Sequence, residues 1–547
     1  MTLNITNTSI YKFLFFLIVV FYCLVLSQFG FENFDTGYIP SFSWRIINGQ
    51  SVYQDFIYKG PPVTLYFHAF FMELLPITGQ FFLIRIVNYF LFSFQVFLTV
   101  SAFDNFYNLS KIGINKWAIM SICFIISLLN FSPFPWPTTD GLLFASIAFW
   151  LVSKFDKPSF LNLFLVAFFS ILSALTKQSF YLVPLFYIFF VSVKYGFKST
   201  MVFLVQLILC LATYIIFILS ITDFKNFIQQ TTGETHLHDL FYSGIHSYIF
   251  IPVLWFLLLL VIVSIILFLY LKNTNQKLVV ILPVIKGLSI SCFLIALVFG
   301  LCKEIEMASR IAFDASVIAL IYAYAFSKKN LLFITPVIVS LGIAWSSSIS
   351  FGYPYPILFA TGIILSFVVL ILKELRINPK FYFWMVLPIC IIAFSYNLRP
   401  YREANIFKLK YSLESVSPKL KYIKTSKSSF DKYSELKVLV DKYGENFIVA
   451  PSLPIANYLF NNQSELPADW IIETEVNRRQ IEFIKLAADK KNFIFLEKSF
   501  LNHEEFVQDN LEKFSSISVF IYKKFNLIDE TEHFLIYNSI KKDERLP

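Results

Sequence analysis

FENFDTGYIPSFSWRIINGQSVYQDFIYKGPPVTLYFHAFFMELLP, residues 31–76, follows directly on a long apolar run and precedes another. Connections between membrane helices are ordinarily a few residues long. This one carries Glu32, Asp35, Arg45, Asp55, Lys59 and Glu73, with Trp44, Tyr53, Tyr58 and the Pro61-Pro62 pair between them. Charged side chains interleaved with amphipathic aromatic rings suit a segment that lies at a membrane surface and shapes a site there.

Hydrophobic residues make up 57% of the chain and charged residues 15%, and 67 of the 547 residues are Phe. A water-soluble core of this length does not call for such a composition. Apolar runs long enough to cross roughly 30 Å of hydrocarbon recur from Tyr11 to Tyr396 and then stop. The expected fold is therefore an α-helical polytopic membrane protein with about thirteen transmembrane helices, residues 1–397, and a small C-terminal α/β soluble domain, residues 398–547. Several runs between 117 and 193 are short, as tilted, broken or re-entrant helices would be. The first run lacks a strongly basic flank and a small-residue cleavage site, so it is expected to remain as the first helix.

Basic residues support an orientation. With the N-terminus in the cytoplasm, inward connections carry Lys111, Lys116, Lys154, Lys157, Lys194, Lys198, Lys272, Lys277, Lys328, Lys329, Lys373, Arg376 and Lys380. The acids among them are few, as the positive-inside tendency requires. The 30–78 loop, the 222–247 segment, the turn at Lys303 and the whole tail then share the extracytoplasmic side of a plasma (inner) membrane. The net charge of +9 is dispersed over short loops and a mixed-charge tail, so no nucleic-acid partner is expected.

In the tail, KYSELKVLVDKYGE and TEVNRRQIEFIKLAADKK have helical spacing, and NFIVAPS and NFIFLEK follow them as strands. EEFVQDNLEKF, SVFIYKKF and HFLIYNS continue the alternation, so a mainly parallel sheet is expected. His503 and His533 look like isolated surface residues. The six cysteines lie in or beside the apolar runs, which implies packing rather than disulfides. The chain has no C-x-x-C spacing, phosphate loop or G-x-S-x-G elbow. No tightly bound cofactor and no metal ligand are assigned. Glu234, His236, His238, Asp239 and His246 in the second outward loop lack a fixed ligand spacing.

Asp35, a few residues beyond the first helix in NFDTGY, is the leading catalytic candidate. A partly desolvated aspartate has a raised pKa and can take a proton from an acceptor hydroxyl. A solvated loop acid, or an Asx turn with Thr36 and Gly37, is the alternative. In KEIEMASRIAFD, Lys303, Glu306, Arg310 and Asp314 form one stripe if helical, whose charges must face a cavity or one another.

The D-x-G-Y, W-R-I-I-N-G-Q-S-V-Y-Q-D-F-I and P-P arrangement resembles the first extracytoplasmic loop of the GT-C superfamily, in particular its protein-mannosyltransferase-like and aminoarabinose-transferase-like branches. The likeness covers residues 30–76, with weaker support from LTKQSF at 175–180. It implies a membrane glycosyltransferase that moves a single sugar from a polyprenyl-phosphate carrier to an extracytoplasmic lipid, glycan or protein, with Asp35 as general base. Asp55, Lys59, Lys177, Gln178, Lys303 and Arg310 are the candidate substrate-binding residues, because a leaving lipid phosphate needs nearby positive charge. Some branches have an acidic pair where this chain has Asp35-Thr36, which leaves a divalent metal compatible but not favoured. The W-W-D signature of oligosaccharyltransferases is absent. A polytopic transporter, with Arg85, Lys286, Arg310 and Asp314 on its route, and a polysaccharide polymerase or ligase are the competing classes.

Overall fold

The computed structural model describes residues 3–32, 34–129, 134–233, 237–249, 277–301, 304–325, 330–350, 355–372, 390–444, 446–451, 453–463, 466–471, 475, 493–500 and 516–540. Four helices among them are long and apolar enough to cross a membrane: Thr8–Gln28, Gln80–Tyr107, Phe197–Ile221 and Leu331–Ser348. Phe13, Leu17, Val205, Ile208, Ile216 and Leu219 stand exposed on the first and third of these. Apolar side chains turned outward along a whole helix face belong to a protein whose solvent is lipid. Shorter apolar helices, among them Lys116–Ser127 and Phe160–Ala174, fill in the bundle. The run at 179–193 is broken, as a 3₁₀ turn Gln178–Leu182 followed by the helix Val183–Tyr195. The expected span at 248–271 lies almost wholly outside the described residues.

The two ends of the bundle are held differently. At one end short polar contacts join neighbouring connections: Lys116 pairs with Asp104, and Lys194 Nζ donates to the carbonyls of Val152 and Phe155. At the other end the 31–76 segment gathers distant parts of the chain. Its backbone forms two helices, Asp35–Ile47 and Val63–Leu74. Gln178 donates to the carbonyls of Lys59 and Thr231, Gln230 Oε1 accepts from the Tyr58 N–H, and the Ile57 N–H donates to the Pro467 carbonyl. Parts of the 31–76 segment, the 222–247 segment and the tail thus meet one another in space.

The tail contains a four-stranded sheet. Phe447–Ala450 runs parallel to Phe493–Glu497, with Phe447 opposite Phe493. Phe534–Ile540 is antiparallel to Phe493–Glu497, and Phe525–Glu530 is antiparallel to Phe534–Ile540. The sheet is therefore mixed, with one parallel pair, not mainly parallel. SVFIYKKF is also not a strand: Ser516–Lys524 is a helix, and the strand begins at Phe525. Within the helix Ser518 and Ile521, three residues apart, are both buried on one face, and the buried Phe525 opens the strand. A short hairpin then returns the chain, which makes the last pair antiparallel. The expected helix at 427–443 is present as Lys427–Tyr443. The helix expected at 474–491 and the EEFVQDNLEKF segment lie, but for Glu475, outside the described residues.

Sheet and loop share a core. Phe31, Met72, Phe81 and Ile84 pack with Leu413, Leu436, Phe447, Ile455 and Phe495. A Cβ on Gly37 would lie 2.4 Å from that of Ile455, so the Asp35–Ile47 helix rests directly on the tail backbone. Arg45 of that helix forms a two-pronged ion pair with Asp469, Nε to Oδ2 at 2.7 Å and Nη2 to Oδ1 at 2.5 Å. Both side chains are out of solvent, at 4% and 0% exposure.

Candidate functional site

The chain leaving the first membrane helix turns at Gly30, where φ is +85°. Only glycine takes this conformation without strain. Arg85, fully buried, donates to the carbonyls of Ser27, Phe29 and Gly30, and so satisfies backbone oxygens that no helix serves. Its guanidinium is engaged in shaping this turn. Glu403 Oε1 accepts from the Phe31 N–H, and Lys424 O accepts from the Gly30 N–H. The turn is clamped between the bundle and the tail.

Asp35 is the first residue of the helix Asp35–Ile47, so the Asx turn is not formed. Glu32 Oε2 accepts from the backbone N–H groups of Asp35 at 2.8 Å and Thr36 at 3.3 Å. A carboxylate capping the exposed N–H groups of a first turn also complements the helix dipole. The other Glu32 oxygen takes Arg402 Nη1 at 3.1 Å, and the same nitrogen lies 3.6 Å from Asp35 Oδ2. Tyr401 donates its hydroxyl to Asp35 Oδ2 at 3.0 Å. Glu32 and Asp35 thus share one guanidinium, that of Arg402.

Burial raises the Asp35 carboxyl above its ordinary range, and the Arg402 charge and the Tyr401 hydroxyl oppose it. Glu32 is raised by burial and by the charge of Asp35, against Arg402. The Asp35 side chain remains 15% exposed, whereas Glu32 is 6% exposed. Of the two, Asp35 keeps the more exposed carboxylate, and Glu32 serves the backbone N–H groups and Arg402.

Aromatic rings stand beside this carboxylate. Tyr38, one turn on, lies 5.6 Å from Trp470 and 6.2 Å from Trp136, ring centre to ring centre. Phe34 lies 6.2 Å from Trp470. Tyr38 donates to Glu475 Oε2 at 3.0 Å. Burial raises Glu475, the charge of Lys59 and the Tyr38 hydrogen bond oppose this, and Asp35 adds to the rise. Lys59, Glu475 and Asp35 thus sense one another's charge.

The candidate residues separate into groups. Lys59, Lys177 and Gln178 come together: Gln178 holds the Lys59 carbonyl, and Lys177 Nζ contacts Ile349 O at 3.0 Å and Thr138 Oγ1 at 3.4 Å. Thr138 stands two residues from Trp136, which joins this group to the rings near Asp35. Asp55 is exposed, and its Oδ2 accepts from the Ser51 N–H at 2.6 Å, closing a local turn. Arg310 pairs with Glu306, reaches Ser247 O at 3.4 Å and lies over the Tyr355 ring, while Tyr355 donates to Glu306 at 2.7 Å. Lys303, Glu234 and His236 lie outside the described residues.

Sequence reasoning did not select Glu32, Tyr401, Arg402 or Glu475. Glu32 was visible as an acid three residues before Asp35, but the other three come from parts of the chain more than 360 positions away. His533 is not isolated: its Nδ1 lies 2.8 Å from Glu435 Oε2, with Glu532 nearby. His68 meets Asp140 at 3.0 Å in a buried pair that ties Val63–Leu74 to Pro137–Lys154. No family model and no curated protein matches the chain.

Proposed function

We propose that this protein is a membrane glycosyltransferase that takes one sugar from a polyprenyl-phosphate carrier and passes it to a hydroxyl on the extracytoplasmic side, with Asp35 as general base. The observation that carries this reading is the largely sheltered but still accessible Asp35 carboxylate at a helix N-terminus, next to Arg402 and Tyr401 and on the same end of the bundle as Lys59 and Lys177. A general base needs access to a hydroxyl and a pKa above that of a solvated acid, and Asp35 has both features. Lys59 and Lys177 would stabilise charge on the departing lipid phosphate. Arg310, held by Glu306 and Tyr355, fits a part in orienting its helix.

The direct test uses the purified protein in proteoliposomes with radiolabelled polyprenyl-phosphate sugars and a cell-envelope extract as acceptor. The expected result is time-dependent release of the bare carrier phosphate from at least one donor, and no release from any would sink the reading. For sidedness, a reporter active only in the cytoplasm, fused after Asn397, should be silent. Strong activity there would invert the topology.

A pH dependence follows from the electrostatics. Transfer should fall as pH drops through the raised pKa of Asp35, which is above the ordinary value of about 3.9. Arg402→Gln removes the main charge that restrains this rise, so the acid limb of kcat/KM should move to higher pH. Because Glu32 and Asp35 interact, the apparent value belongs to the pair. An acid limb unmoved by Arg402→Gln would detach Asp35 from the rate.

A further inference from the structure

We propose that Tyr38, Trp136 and Trp470, with Phe34 at their edge and the Glu475 carboxylate beside them, form the seat for the sugar ring of the donor, so that the tail supplies half of the sugar subsite. The inference rests on the glycosyl-transfer reading and extends it to the residues that recognise the ring.

Aromatic rings of the packed core are closed off: Phe31 and Phe81 have no exposure, and Tyr433 and Phe495 likewise. Phe34, Tyr38, Trp136 and Trp470 are each only partly buried, next to a carboxylate that is itself partly open. Leaving aromatic surface in water forgoes about 25 cal/mol for each Å², a standing cost that a bound ligand removes. The face of an aromatic ring carries partial negative charge, which suits the C–H bonds on the apolar face of a sugar ring. The hydroxyls around the edge of such a ring require acceptors. Glu475, oriented by the Tyr38 hydroxyl at 3.0 Å, provides them from one side.

The placement relative to the chemistry is suitable. Tyr38 lies three residues after Asp35 on the helix Asp35–Ile47, so both project from the same face. A ring resting on Tyr38 and Trp470 would present its edge to the Asp35 carboxylate. Trp136 and Thr138 share one turn at the start of the helix Pro137–Lys154, and Thr138 contacts Lys177. The sugar seat and the proposed phosphate contact are therefore neighbours, in the order that a phosphate-linked sugar demands. Trp470 follows Asp469, whose ion pair with Arg45 fixes the tail to the Asp35 helix. Recognition of the ring would thus depend on tail docking.

The test is binding, so that it stands apart from transfer. Full-length protein in lipid nanodiscs would be titrated with a short-chain polyprenyl phosphate, bare or carrying a hexose, a pentose or an amino sugar. At least one sugar-bearing lipid should bind the wild-type protein about tenfold more tightly than the bare phosphate, which corresponds to about 1.4 kcal/mol. Trp470→Ala should lose that advantage while binding the bare phosphate as before, and Trp470→Phe should keep most of it. Trp136→Leu, which leaves the tail untouched, should lose it as well and decides the matter if Trp470→Ala does not fold. Retention of the full advantage in folded Trp470→Ala or Trp136→Leu would overturn the proposal. A wild-type protein that releases carrier from a donor yet shows no sugar-dependent affinity would also overturn it and leave the transferase reading standing. Absence of both would remove the two together.

Discussion

Asp35→Asn should fold, bind a sugar-bearing carrier and transfer sugar at least about 100-fold more slowly, the lower end of what a general base contributes. Asparagine keeps the shape, and its Oδ1 can still accept from the Tyr401 hydroxyl, the contact now made at 3.0 Å. Arg402 retains Glu32 as its partner at 3.1 Å, so no charge is left stranded. The stability consequence runs against the catalytic one. A carboxyl whose pKa is raised in the folded protein binds more protons there than in the unfolded chain, so stability falls as pH rises from the unfolded pKa to the folded one. The amide carries no charge to desolvate, and Asp35→Asn should unfold no more easily than wild type at neutral pH. Loss of activity without loss of stability is the signature of a functional acid held at a cost. Asp55→Asn is the control: Asp55 closes a turn with the Ser51 N–H in solvent, and transfer should stay within a few fold. Single-turnover kinetics with both variants would distinguish them, and near-normal transfer by Asp35→Asn alongside loss in Asp55→Asn would refute the assignment.

The second large effect should come from the buried Arg45–Asp469 pair. Arg45→Met leaves a carboxylate without its counter-charge, with the Asn457 amide at 2.5 Å still donating to it. Asp469→Leu strands a guanidinium that also donates to Gln50 Oε1 and Leu466 O. Breaking one side of a buried pair typically costs about 3–5 kcal/mol, whereas replacing both sides by apolar groups is often close to neutral. Each single variant should therefore show a clearly lowered Tm in detergent and easier proteolysis of the tail, and the Arg45→Met/Asp469→Leu double variant should recover much of the loss. Additive losses in the double variant would show that the pair does not act as a unit. Transfer should track docking, because Tyr401 and Arg402 beside Asp35, and Glu475 beside Tyr38, all come from beyond residue 397.

Burial in this molecule divides what was legible in the sequence from what was not. Membrane character needs only local composition: the Phe197–Ile221 helix is 25 residues long and predominantly apolar, and that is as visible in the residues as in the fold. Asp35 could be singled out because its neighbours in sequence, an apolar helix before it and aromatic residues after it, already place a carboxylate at an interface. The strands Phe447–Ala450 and Phe493–Glu497 were legible because short apolar runs bounded by polar residues have few other uses. SVFIYKKF was misread for a related reason. Eight residues carry too little periodicity to separate a helix from a strand, and the sheet against which Ile521 packs settles the matter.

Composition and local pattern were enough to read the class of molecule: a chain suited to lipid surroundings, with a polar segment after its first helix, a mixed-charge α/β tail, and basic residues alternating between connections. Those properties reside in single residues and short windows, where transfer free energy and local charge act without reference to distant chain. Tertiary structure alone decided the partners of Asp35. Glu32 becomes the second acid of a pair because Arg402, 370 positions away, points its guanidinium at both carboxylates. Likewise Lys59 and Gln178 become neighbours because the first loop folds over the ends of later helices. The pKa of a carboxylate depends on how much water, charge and hydrogen bonding surround it, and these are properties of the packed assembly that no window of sequence contains.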